Sequence, residues 1–449
     1  MPLLSSPART GSAGGANRIA RGRVLSGKVP VIRGRFSPWD RLARGLVHQR
    51  LEQLGVGPLR ITDSLGEATL AGAGCSVLDQ SESFCSCREL VVTHPRFYRK
   101  IVTRGSLGFG DAYVDGDWNS PDLPALLETL AEVSVEESNE RNPTRLALSA
   151  WQRLQQLLNR NSPRGSRRNI SFHYDLSNQL FALFLDPTFT YSCGIFSNAS
   201  TTLEEASLAK YQRICEKLEL SPRDHVLEIG CGWGGFVEYA VQHYGCRVTA
   251  VTISREQLNF AKQRIAATGL ADRVDLQFCD YRHLTGKFDK LVSIEMIEAV
   301  GHDYLPAFVE KCDSLLKPSG KMMLQAITIP DHRYDAYRRR VDFIQKYIFP
   351  GGCLVSLERL ARVVHQHSTL RELQSCDFAA DYQKMLLAWR EKFLASREQV
   401  RALHPGDRFL RAWDYYFSYC AAGFARGKIG VSQILLEKDS GTNQRTTAQ

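Results

Sequence analysis

The chain has 449 residues, 43% of them hydrophobic and 23% charged, which is ordinary for a globular enzyme and enough for two or three domains. Seven of the nine excess positive charges lie in residues 1–39 (Arg9, Arg18, Arg21, Arg23, Lys28, Arg33, Arg35), where no acid occurs. The remainder is nearly neutral, which argues against a large nucleic-acid partner. No run of 18 apolar residues is present, so any membrane contact is expected to be peripheral.

Residues 1–39 form a basic leader rich in Arg, Ser and Gly, expected to be disordered. Without an apolar h-region it is not a standard secretory signal, whereas an organellar transit peptide or attraction to anionic headgroups stays open. Residues 40–157 read as a smaller mixed α/β domain with strands at "LRITDS" and "CRELVVTH" and helices at "PDLPALLETLAEVSVEES" and "TRLALSAWQRLQQLLNR". Pro, Gly, Ser and four arginines break the apolar periodicity in "RNSPRGSRRN", which places a basic linker at 158–169. Twelve cysteines scattered from Cys75 to Cys420 without a repeated spacing read as reduced thiols. The "CSC" at 85–87 lacks a metal-ligand spacing, and no metal is expected.

From 170 to 437 strands and helices alternate: helix "LEEASLAKYQRICEKLEL", strand "HVLEIGC", helix "GFVEYAVQHY", strand "CRVTAVTIS", helix "REQLNFAKQRIAATG", strands "RVDLQFCD" and "FDKLVSIEM", helix "YLPAFVEKCDSLL" and strand "KMMLQAITI". Nearly continuous apolar strands between helices predict an α/β, doubly wound parallel sheet, with a disordered tail over 438–449. Ligands in such sheets sit at the carboxyl ends of the strands, where Gly230, Thr252, Asp280 and Glu295 fall.

"HVLEIGCGWGGF" runs a strand into a glycine-rich turn and a helix, a cradle for a nucleotide-like ligand. A nicotinamide dinucleotide is disfavoured, because the glycines read G-x-G-x-G-G and the next strand ends in "AVTISREQ" with no acid before Glu256. S-adenosylmethionine instead needs an acid ahead of the glycines for its amino group, a tight turn beside its carboxylate and an acid near the adenine. Glu228, Gly230 with Gly232 and Gly234, and Asp280 supply these in order.

"NISFHYDLSNQLFALFLDPTFTYSCGIF", "HVLEIGCGWGGF", "VTISREQ", "FCDYRHL" and "EMIEAVG", taken collinearly, resemble the cyclopropane-fatty-acyl-phospholipid synthase family, relatives of the mycolic acid cyclopropane synthases. The resemblance covers most of residues 80–435 and implies a class I, Rossmann-like methyltransferase domain. By it, S-adenosylmethionine would be touched by Tyr191, Ser192, Gly230, Gly232, Thr252, Ile253, Gln257, Asp280 and Tyr281. A bound bicarbonate, acting as base, would be held by Cys193, Glu298, Ile327 and Tyr382. Gln325 stands where relatives usually carry histidine, with an amide that can both donate and accept, and Ala299 falls where bacterial members often have histidine. Cys420 matches a cysteine suspected as a nucleophile, although the chemistry needs no covalent enzyme intermediate. The aromatic cluster Phe172, His173, Tyr174, Phe181, Phe184 and Phe189 suits either an acyl channel or plain core.

The resemblance implies methylene transfer to the cis double bond of an unsaturated phospholipid acyl chain in a membrane, giving a cyclopropane. Alternatives are a methylene- or methyl-branched chain, or methyl transfer to a non-lipid substrate. The expected location is cytoplasmic and peripherally membrane-associated, with the basic linker and "YRRR" (337–340) as candidate headgroup contacts. A homodimer is compatible with the sequence.

Overall fold

The computed structural model describes residues 35–70, 87–132 and 177–440. Most of the leader, the helix expected at 144–160, the linker at 158–169, Phe172, His173, Tyr174 and nearly all of the tail lie outside the described residues.

The first helix, Pro38–Gln53, starts where Ser37 and Asp40 form a reciprocal capping box and proline takes the first turn. It packs on a four-stranded sheet ordered β2-β1-β3-β4, with β1 Leu59–Asp63, β2 Gly66–Leu70, β3 Arg88–Val92 and β4 Trp118–Asn119. Helices Arg96–Val114 and Leu123–Glu132 complete this unit.

The second sheet has seven strands: β5 His225–Ile229, β6 Arg247–Thr252, β7 Val274–Phe278, β8 Phe288–Ile294, β9 Leu316–Thr328, β10 Leu370–Asp377 and β11 Gly430–Lys438, in the order β10-β11-β9-β8-β5-β6-β7. The pairs β5–β6, β5–β8, β6–β7 and β8–β9 are parallel, and the order reverses beside β5, so the glycine turn after β5 opens at a topological switch point. The domain is therefore the doubly wound, Rossmann-like α/β fold that the alternation predicts. It is not wholly parallel, because β11 runs antiparallel to both β9 and β10.

The two sheets share hydrophobic packing through helices Ala379–Ala395 and Asp407–Ala425. Tyr113 Oη donates to Asp414 Oδ2 at 2.6 Å, Arg390 Nε donates to Asp414 Oδ1 at 2.6 Å, and Arg411 reaches Asn119 and the Trp118 carbonyl. Phe181, Phe184, Trp389, Phe393, Trp413 and Phe417 fill the space between. Phe181 and Phe184 are thus core. Phe189, at the edge of this packing, faces a cavity.

Candidate active site

β5 ends at Ile229, and the chain passes through Gly230 (φ 87°) and Gly232 (φ 51°) before Gly234 (φ 82°) caps helix Gly235–Tyr244. A side chain at Gly230 would meet Met296 Cγ at 2.7 Å, whereas one at Gly232 would point into open space. That space is an open cavity of about 1120 Å³, counting its mouth. Tyr191, Ser192, Glu228, Gly230, Gly232, Thr252, Ile253, Gln257, Asp280 and Tyr281 all line it. Gly234 does not line it, and its Cα faces Ala261 across the helix start.

Glu228 is buried, and its Oε2 has no hydrogen-bond partner among the described residues. Burial pushes this carboxyl up to about 8, against the pull of the Lys210 ammonium. A buried acceptor facing a cavity wants a cationic donor. Thr252 Oγ1 donates to Gln257 Oε1 at 3.0 Å, which fixes one wall. Asp280 accepts from the backbone N–H and guanidinium of Arg282, and despite burial these bonds hold its carboxyl below the usual range.

At the other end of the cavity stands Glu295, directly after β8, with φ 49°. Its Oε1 accepts from the Cys193 backbone N–H and from Gln325 Nε2, both at 2.8 Å, and its Oε2 accepts from Tyr382 Oη at 2.6 Å. The Gln325 amide also donates to the Cys193 carbonyl at 3.1 Å. Its orientation is fixed from behind, because Gln433 Nε2 donates to Gln325 Oε1 at 2.9 Å and Arg213 Nε donates to Gln433 Oε1 at 2.7 Å. Beneath the cluster the fully buried Lys210 donates to Ser192 Oγ at 2.6 Å. Burial lowers its ammonium to about 8 while Glu295, the Cys193 thiol, Asp186 and Glu228 act to raise it.

Of the four residues expected around a bicarbonate, Cys193 and Tyr382 end on Glu295, as does Gln325, whereas Ile327 ends on Glu298. Glu298 Oε1 accepts from the Ile327 backbone N–H at 2.6 Å, and its buried Oε2 has no hydrogen-bond partner among the described residues. Burial, reinforced by the neighbouring Glu295 carboxylate, pushes Glu298 up to about 8. Cys193 enters through its backbone, since its thiol donates to the Gly194 carbonyl and burial holds it well above the usual range. Cys420 lies on helix Asp407–Ala425, packed against the aromatic core and away from the cavity lining, with its thiol pushed upward by burial. A thiol outside the cavity lining, held in its neutral form by burial, is poorly suited to act as a nucleophile.

Lys210, Gln433 and Arg213 were not anticipated as site residues, and Glu295 was placed only at the ligand-bearing end of its strand, without a role. Glu295 alone left a usable signal: "SIEMIE" places two carboxylates three residues apart in an apolar run at a strand end.

The family model for mycolic acid cyclopropane synthetase matches residues 161–434. The chain belongs to that family. It is 38% identical over 354 residues to the tuberculostearic acid methyltransferase of Mycobacterium tuberculosis, covering 76% of this chain and 81% of that one. It is 36% identical over 354 residues to the cyclopropane-fatty-acyl-phospholipid synthase of Escherichia coli, covering 78% and 88%. A mycolic acid cyclopropane synthase solved with SAH and CTAB superposes with a TM-score of 0.57 at 31% identity, covering 61% of this chain and 98% of that one. The chain is therefore an S-adenosylmethionine-dependent methyltransferase, and the unpartnered Glu228 oxygen beside the open glycine turn fits that cofactor's ammonium and carboxylate.

Proposed function

We propose that this methyltransferase adds a methylene group to the cis double bond of an unsaturated phospholipid acyl chain, closing a cyclopropane ring. The observation that carries the reading is the carboxylate-centred cluster around Glu295, which opens into the same cavity as the cofactor turn. The cofactor supplies a methyl group activated as a sulfonium. Transfer to an alkene leaves a carbocation, and ring closure then needs a proton acceptor inside an apolar pocket.

The chain's own residues divide the work. Glu228 holds the ammonium, and the backbone of Gly230 and Gly232 leaves room for the carboxylate. Thr252, Gln257, Asp280 and Tyr281 shape the wall for the nucleoside. Phe189, Tyr191 and Trp233 give an aromatic lining along which an acyl chain can lie and a cation is tolerated. Holding the alkene in line with the methyl group is a positioning contribution of several kcal/mol. If the same cation shifted a hydride before losing its proton elsewhere, a methylene-branched chain or an unsaturated methyl-branched chain would form, a reading favoured by the 38% identical tuberculostearic acid methyltransferase. Lipids from an expressing host that lacks such chains should gain one CH2 per modified chain, and NMR should show ring protons.

No helix among the described residues is long and apolar enough to cross a membrane. The substrate must therefore be met at a surface, and helix Pro38–Gln53 offers one. Trp39 (72% exposed), Leu42 (55%) and Leu46 (47%) form one apolar row beside the exposed Arg41 and Arg50. Of "YRRR", Arg338 pairs with Asp335, while Arg339 and Arg340 are exposed. Binding to vesicles containing anionic phospholipid should weaken as salt rises, and Trp39→Ser should weaken it further without altering cofactor affinity. Binding that is indifferent to salt, lipid charge and Trp39 would contradict this.

A further inference from the structure

We propose that the Glu295 carboxylate is itself the base of this reaction and fills the place where a bicarbonate was expected, so that turnover needs no bicarbonate. The inference rests on the lipid-methylation reading above and concerns the same cavity.

The donors a bicarbonate would use are already taken. The Cys193 N–H, the Gln325 amide and the Tyr382 hydroxyl all end on Glu295, and the Ile327 N–H ends on Glu298. An added anion would find none of these donors directed at it and would lie against two carboxyl groups, a costly arrangement. The cluster does fit an internal carboxylate. Burial pushes the Glu295 carboxyl up, which suits a proton acceptor, while the Lys210 ammonium and three donors pull back toward the charged form; Oε2, with one protein donor, keeps a lone pair for a proton. The left-handed backbone at Glu295, unusual for a residue with a side chain, marks a position held against its local preference.

The step balances. As the methyl group is transferred, the alkene π pair forms the first new C–C bond, and the S–CH3 pair stays on sulfur as a neutral thioether. One C–H pair of the new methyl group then closes the ring onto the cationic carbon, and its proton goes to Glu295 Oε2, leaving a neutral carboxylic acid and a neutral cyclopropane.

The test is titration of 13C-bicarbonate by NMR against the wild type and Glu295→Gly, together with turnover in carbon-dioxide-free and bicarbonate-supplemented buffer. Glycine accepts the φ of 49° without strain, so this variant removes the carboxylate while keeping the turn. The wild type should show no saturable broadening of the bicarbonate line and equal turnover in both buffers. Glu295→Gly should bind bicarbonate, keep its cofactor affinity and lose about a hundredfold or more of its bicarbonate-free turnover. Saturable bicarbonate binding by the wild type, a wild-type requirement for bicarbonate, or near-full bicarbonate-free turnover by Glu295→Gly would each overturn the proposal. If Glu295→Gly failed to fold, the two wild-type measurements would still decide it. If the wild type formed no lipid product in any buffer, the lipid reading would fail, and the NMR titration would still report whether the site takes bicarbonate.

Discussion

Gly232→Val should abolish cofactor binding while leaving the protein folded. At φ 51° a Cβ on residue 232 meets no protein atom within 4 Å, so the new side chain would project into the cavity where the cofactor must lie. A β-branched residue in the left-handed region adds a backbone cost of about 1–2 kcal/mol, a loss a chain of this size can absorb. Calorimetric titration should show affinity lost by more than about a hundredfold, equivalent to roughly 3 kcal/mol, with a melting temperature only a few degrees lower. Retained affinity would remove the glycine turn from the cofactor site. The same change at Gly230 is a poorer test, because there the Cβ would strike Met296 and disturb the turn itself.

Lys210→Met should have the second large effect, on stability as well as activity. Lys210 is fully buried and supplies the positive charge beneath Glu228 and Glu295. Removing one partner from a buried charge cluster costs about 3 kcal/mol or more, because the charge left behind has no water to turn to. The pH dependence identifies the cause. Glu228 and Glu298 have folded-state values raised from 4.5 to about 8, so the stability they contribute is complete below about 4.5 and is lost as pH rises through 8. Without the ammonium the folded-state carboxyls nearest to it rise further. The deficit of Lys210→Met should therefore be nearly constant from pH 5 to about 8 and grow above about pH 8, where the wild-type Glu228 is ionised while the variant's still holds its proton, and where wild-type Lys210 sheds the cost of being buried charged. A deficit independent of pH would mean that the lysine acts through packing of its stem alone.

The catalytic sheet was readable because its strands and helices follow local rules. Helix Gly235–Tyr244 spans the expected residues, and β5 to β8 begin and end within two residues of their apolar runs. β10 carried no such signal: seven of its eight side chains are exposed, so neither an apolar run nor an alternation marks it. The antiparallel course of β11 depends on where the preceding helices leave the chain, which no local pattern encodes.

The cofactor wall was legible for a similar reason. Its residues sit at strand ends, and order along the chain becomes order around the cavity. The polar cluster was legible only in part. Cys193, Gln325 and Tyr382 come from three distant segments; the resemblance set Cys193 and Tyr382 with Glu298 and Ile327 around a bicarbonate, whereas their hydrogen bonds end on Glu295. Which of two carboxyls three residues apart faces the cluster is set by the left-handed turn at Glu295, and Lys210 sits in a helix whose sequence would equally suit an exposed lysine.

The most direct test of the lipid-methylation reading is the fate of a deuterated methyl group. Purified protein would be incubated with S-adenosylmethionine carrying a CD3 group and vesicles of an unsaturated phospholipid, and the modified acyl chains examined by mass spectrometry and NMR. The account predicts chains that keep two of the three deuterons in a ring methylene, the third having left as the deuteron taken by the base. Chains that keep all three deuterons, an exocyclic alkene in place of the ring, or no label in lipid at all would contradict it.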